Sequence, residues 1–201
     1  MYQRLTEMTV GRLAPALGCT PGTVTYDKLW YGTHVFYINA CKTLLLILIA
    51  WRLGVLPYVA VFALGYGALR SFSFGVHLES SLLCTLSGLV YYLGGVGLSL
   101  RYDFPPVVKA LLLAGCAFSV IAFAPVETIK RPIPKSRRKG YKLLSLCVLA
   151  AITVAVIILG SSPYGNILCM ASICQAVNLL PITEKMIRSF ENEKASKENR
   201  V

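Results

Sequence analysis

His77 and Cys84, seven positions apart in the run RSFSFGVHLESSLLC, are the residues of this chain whose types could do chemistry together. A thiol becomes an effective nucleophile when a neighbouring base takes its proton, and an imidazole can serve as that base. The surrounding sequence reads as membrane, where ionisable side chains are costly and usually have a job. Two readings follow. One is a peptidase or acyl-transfer enzyme built into a bilayer; the other is a small polytopic protein whose task its sequence does not show. No H-E-x-x-H, G-x-S-x-G or Walker pattern competes. Paired-aspartate chemistry is excluded, because Asp27 and Asp103 are the only aspartates and are expected on opposite sides of the membrane.

Spacing constrains how the pair can work. Seven residues of ideal helix return almost to the same face but climb about 10.5 Å. Proton sharing needs the two groups within hydrogen-bond reach. The chain must therefore break between them, or each must work with other partners. Gly75 offers a flexible point before His77, and Glu79, Ser80 and Ser81 read as a helix start. His77 then sits in the preceding turn and Cys84 near the start of a helix, where the dipole and a nearby His or Arg cation favour thiolate. Arg70 is placed to add to that field or to hold a substrate carboxylate. Glu79 or Glu127 could orient the imidazole. The plainer alternatives are that Cys84 packs as a small hydrophobe, that His77 is an interfacial polar residue like His34, and that Glu79 suits a helix macrodipole.

The elements that must position these residues are read from composition. The 201-residue chain is 56% hydrophobic and only 14% charged, whereas soluble domains carry about 25% charged residues. Lipid is needed to cover such a surface. The first thirty residues lack a continuous apolar h-region and an A-x-A site, so insertion is expected to use the first membrane segment as an uncleaved anchor. Seven cysteines without a C-x-x-C, and only two histidines, give no metal site and no disulfide framework; no cofactor is expected. The net charge of +11 points to anionic headgroups and topology rather than to nucleic acid.

The predicted fold is an all-α polytopic membrane protein with an N-terminal amphipathic helix. Residues 1–32 form the interfacial region, 33–181 the transmembrane domain and 182–201 a polar tail. Six apolar segments, near 33–51, 54–70, 80–98, 106–124, 142–160 and 164–181, approach the length that crosses a bilayer. Four spans with the marginal segments re-entrant is the alternative. Pro57 suits the first turn of the second helix. With both ends cytoplasmic, most of the 20 basic residues fall inside, as an even span count requires. The outer regions keep Arg52 and Arg101, and Lys42 and Lys109 can snorkel. His77 and Cys84 then lie on the cytoplasmic side, between the second and third spans.

The strongest charge block, KRPIPKSRRKGYK at 130–142, falls on that same side. It contains Lys130, Arg131, Lys135, Arg137, Arg138 and Lys139, and Pro132 and Pro134 are expected to keep it extended. It reads as a topology determinant in contact with lipid headgroups. It also suits docking of an acidic peptide segment, and the two roles are compatible.

The run Arg70-x4-Gly75-x-His77-x6-Cys84, followed by short spans, a Pro-x-Glu and a Lys-rich loop, resembles AgrB, the accessory gene regulator B family of membrane peptidases. The family often reads Gly-Gly-x-His-Ala where this chain has Phe74-Gly75-Val76-His77-Leu78. The resemblance implies a quorum-sensing cysteine endopeptidase acting on an AgrD-type precursor, with Cys84 as nucleophile and His77 as base and then acid. The thioester so formed would be intercepted by a substrate thiol to give a cyclic thiolactone. It also implies that the precursor's acidic tail meets the basic loop, and that the protein is a homodimer. The rival functions are a membrane peptide exporter or transporter subunit and a non-enzymatic adaptor. A transporter needs polar residues along its spans, and Asn39, Asn166, Gln175 and Asn178 are the few on offer.

Overall fold

The structure is a computed structural model that describes residues 2–75, 81–126, 133–183, 185 and 189. Its described elements are helices: α1 (Tyr2–Ala16), α2 (Val24–Arg52), α3 (Leu56–Ser73), α4 (Ser81–Leu89), a π turn at Val90–Gly94, α5 (Gly95–Arg101), α6 (Pro106–Phe123), α7 (Lys135–Leu159) and α8 (Pro163–Leu179). They divide into two compact units, 1–54 and 55–201.

In the first unit, α1 lays a narrow stripe on α2. Thr6, Val10 and Ala14, spaced four apart, are its buried residues, while Met8 and Leu17 stay exposed. Thr9 Oγ1 and Tyr37 Oη lie 2.7 Å apart. The Thr6 hydroxyl donates to the Tyr2 carbonyl and lies 3.3 Å from His34 Nδ1. Thr23 caps α2 by accepting from the Tyr26 amide. At 29 residues this helix is about 43 Å long.

The second unit is organised around α8. Helices α3, α5, α6 and α7 all pack on it, and its buried residues occupy every face. Several are small, among them Gly165, Cys169, Ala171, Ser172 and Ala176, which lets neighbouring backbones approach closely in lipid. The helices around α8 bury single stripes. Val59, Phe62, Tyr66, Leu69 and Ser73 line α3; Leu113, Cys116 and Val120 line α6; Leu149, Ile152 and Val156 line α7. Their other faces expose Leu111, Phe118, Ile157 and Ile158. Apolar side chains both inside and outside are the pattern of helices solvated by hydrocarbon.

Among the described residues, four stretches are long and apolar enough to cross a membrane: Val24–Arg52, Leu82–Arg101, Pro106–Phe123 and Lys135–Leu159. With no strand among the described residues, the chain is an all-α membrane protein. α3 and α8, with 18 and 17 residues, lie near the short end of the spanning range. The chain breaks between α2 and α3 around Gly54, at φ +69°, and Pro57 stands in the first turn of α3.

Two sequence expectations are corrected. Lys109 does not snorkel: it is 5% exposed and its ammonium donates to the Gly160 carbonyl at 2.6 Å. Gly160 is the C-cap of α7, so the cation sits on the negative end of that helix. The block 130–142 is also not extended throughout. α7 begins at Lys135, because Pro134 ends the proline-bearing stretch with a backbone suited to the N-cap and leaves Lys135 free to start the helix.

Candidate active site

Cys84 is the fourth residue of α4 and half-buried. Its carbonyl accepts from the Ser87 hydroxyl at 3.1 Å. His77, Glu79, Glu127, Lys130 and Arg131 lie outside the described residues. α3 ends at Ser73, and α4 is described from Ser81 to Leu89. The structure therefore describes both flanks of the segment that carries His77.

The flank at α3 is tightly built. Phe74 has φ +58° and ψ −131°, a backbone that a residue with a β-carbon rarely adopts and that costs about 1–3 kcal/mol. Gly75 follows at φ +129°. A β-carbon at Gly75 would stand 3.3 Å from the Asn178 carbonyl oxygen and 3.5 Å from Arg70 Nη1. Phe74 thus takes a conformation natural to glycine, at the position where the family resemblance leads one to look for glycine.

Several contacts hold the strained residue. Its amide donates to the Arg70 carbonyl at 2.9 Å. Its carbonyl accepts from Gln175 Nε2 at 2.6 Å, and the same nitrogen lies 2.8 Å from Ser73 Oγ. The Ser73 hydroxyl proton is already given to the Leu69 carbonyl, so both partners of Gln175 need a donor. Phe74 also pairs with Val126 as an isolated parallel bridge, in which the Val126 amide donates to the Ser73 carbonyl at 3.2 Å. The Phe74 ring meets Tyr141 of α7 edge-on at 5.2 Å.

Arg70 belongs to the same end of α3. It is half-buried, it donates from Nη1 to the Tyr66 hydroxyl at 2.9 Å, and its guanidinium lies 5.6 Å from the Tyr66 ring centre. Asn178 Nδ2 donates to the same hydroxyl at 2.9 Å, and the Tyr91 hydroxyl lies 3.4 Å from Asn178 Oδ1. The π turn makes this possible. Its extra residue per turn lets successive residues Tyr91 and Tyr92 both reach the Tyr66 ring, at 6.5 and 5.7 Å.

Arg70 Nη1 thus lies beside Gly75. Lys135, Arg137, Arg138 and Lys139 occupy the exposed first turns of α7, tied to the α3 exit through Tyr141 and Phe74. Four cations on a helix N-terminus work against its dipole, so this surface favours an anionic partner. No group of three or more possible metal ligands occurs among the described residues. Tyr66, Tyr91 and the clamping role of Gln175 were not foreseen. The available signal was Gln175-x2-Asn178, two amides three apart and hence on one face of an otherwise apolar helix.

This is a small all-α membrane protein with a polar cluster where α3 ends against α8. Residues 17–179 match the AgrB family, accessory gene regulator B, and the chain belongs to that family. It is 30% identical over 160 residues to accessory gene regulator protein B of Staphylococcus intermedius, covering 79% of this chain and 84% of that one. The protein of the same name in Staphylococcus carnosus is 24% identical over 159 residues, with 79% and 83% covered. An AgrB-like protein of Clostridium acetobutylicum is 26% identical over 172 residues, covering 82% and 80%. No solved structure matches the chain.

Proposed function

We propose that this protein is a membrane-embedded cysteine endopeptidase that matures a quorum-sensing precursor of the AgrD type. The carrying observation is the non-helical exit from α3 at Phe74 and Gly75, just before His77. Cys84 lies in α4, while Gly75, two residues before His77, lies against the Asn178 carbonyl of α8. An exit from α3 that leaves the helical path two residues before the histidine supports a base that the fold, not a continuous helix from α3, directs toward the thiol.

In this reading His77 takes the thiol proton and Cys84 attacks the scissile carbonyl. The tetrahedral intermediate collapses as His77 returns the proton to the leaving amine, which departs with the C-terminal part of the precursor. A thioester to the N-terminal part remains. A precursor cysteine then attacks it, its proton returning to the Cys84 sulfur, and a thiolactone is released. Exchange of one thioester for another is nearly balanced, so water must be kept from the acyl-enzyme, which a site at the membrane interface assists. Arg70 is held by Tyr66 beside Gly75, poised to support the site, and Glu79 or Glu127 would orient the imidazole. Lys130, Arg131, Lys135, Arg137, Arg138 and Lys139 would receive an acidic tail and anionic lipid. Both termini and the active site would be cytoplasmic, and two copies would associate as a homodimer. An exporter or adaptor is less well supported: Asn166, Gln175 and Asn178 donate their amide protons to neighbouring parts of the bundle.

The test is co-expression of Cys84→Ala, Cys84→Ser and His77→Ala with the precursor, following its mass. Cys84→Ala and His77→Ala should leave it uncut, and Cys84→Ser should be severely slowed. Normal processing by Cys84→Ala would overturn the reading.

A further inference from the structure

The exit from α3 is held in a conformation its own residue disfavours, and a side chain of α8 supplies part of the restraint. Phe74 sits at φ +58°. Gln175 is fully buried and places a single amide nitrogen between two acceptors, Ser73 Oγ and the Phe74 carbonyl. Because Ser73 gives its proton to Leu69, and a carbonyl has none to give, only a donor can satisfy both. A carboxylate at position 175 would repel both, and an aliphatic side chain would remove the donor they share. His77 follows Phe74 by three residues, so its reach is limited to about 11 Å of chain from that anchor.

We propose that Gln175 is a positioning residue for the His77–Cys84 pair, acting by locking Phe74 in its left-handed conformation. The inference rests on the peptidase reading. It assigns α8, which carries no catalytic group, control over where the base starts. Release of Phe74 to ordinary backbone angles redirects the chain before His77 and separates base from thiol. Glycine at 74 would adopt the same angles without strain and would not need the clamp.

The experiment uses the full-length protein in lipid vesicles with its synthetic precursor. Gln175→Leu and the isosteric Gln175→Glu should lower the single-turnover cleavage rate about tenfold or more, with little change in the precursor concentration at half-saturation. Adding Phe74→Gly to Gln175→Leu should restore the rate to that of Phe74→Gly alone. If Gln175→Leu does not accumulate in membranes, the Gln175→Glu protein and its Phe74→Gly double carry the same comparison. A second readout needs no catalysis. In His77→Cys, the yield of a reagent-bridged peptide joining positions 77 and 84, identified by mass, should fall with Gln175→Leu and recover with Phe74→Gly. A wild-type protein that never cuts, with bridging still dependent on Gln175, would sink the peptidase reading and leave the clamp standing. Cleavage and bridging unaffected by Gln175, or a loss in well-inserted protein that Phe74→Gly does not repair, would overturn the clamp.

Discussion

Gly95 faces the ring of Phe62 so closely that a β-carbon there would stand 2.6 Å from Cε2 and 3.1 Å from Cζ. Phe62 is fully buried and also meets Tyr66 and Tyr92, so the ring has nowhere to go. Gly95→Ala should therefore destabilise the protein by about 1–3 kcal/mol. Gly65→Ala meets the end of a flexible side chain instead, Leu168 Cδ2 at 2.9 Å, and should cost less. Thermal unfolding of both variants in detergent gives the order; equal melting temperatures would refute it.

Tyr66→Phe removes the oxygen that receives both Arg70 and Asn178. Two donors lose an acceptor in a partly buried place, for an expected loss of about 1–3 kcal/mol. Tyr91→Phe breaks only a 3.4 Å contact and should have a smaller effect. The same unfolding measurement decides the order.

Reversing Lys135, Arg137, Arg138 and Lys139 to Glu should weaken precursor binding and flatten its salt dependence. Acidic residues in the first turns of α7 suit the helix dipole. Weaker binding in such a variant therefore does not come from melting the helix. Titration of precursor into vesicles at two salt concentrations is the check, and unchanged affinity would remove the docking role.

Thr9→Val should loosen α1 from α2, because it removes the 2.7 Å contact with Tyr37 while keeping size and shape. The expected effect is about 0.5–1.5 kcal/mol, seen as faster proteolysis within residues 2–23. An unchanged cleavage rate would mean that the apolar stripe of Val10 and Ala14 suffices.

The helices were legible because their signals are local. Apolar runs and Pro57 in a first turn each speak within a few residues. Cys84 and His77 were legible as types at a spacing, and Arg70 and Gly75 as their neighbours. The clamp was not, because it depends on Gln175 meeting Phe74 across 101 residues, and a positive φ at phenylalanine leaves no mark in a sequence. Lys109 misled for a similar reason. A lysine near a span end reads as reaching for water, and its partner here is a backbone carbonyl of another helix.

The pairing of Phe74 with Val126 has a metric consequence. Residues 76–80, leading to the thiol, and residues 127–134, leading to the cations of α7, start from one fixed point. On the peptidase reading, the thiol that holds the bond to be cut and the cations that hold the acidic stretch are each joined to this point by a short, fixed count of residues, which limits how far apart they can lie. The precursor's residue count between those features then becomes a length the enzyme measures. Insertion of a few residues there should spoil cutting even where every contacted side chain is kept.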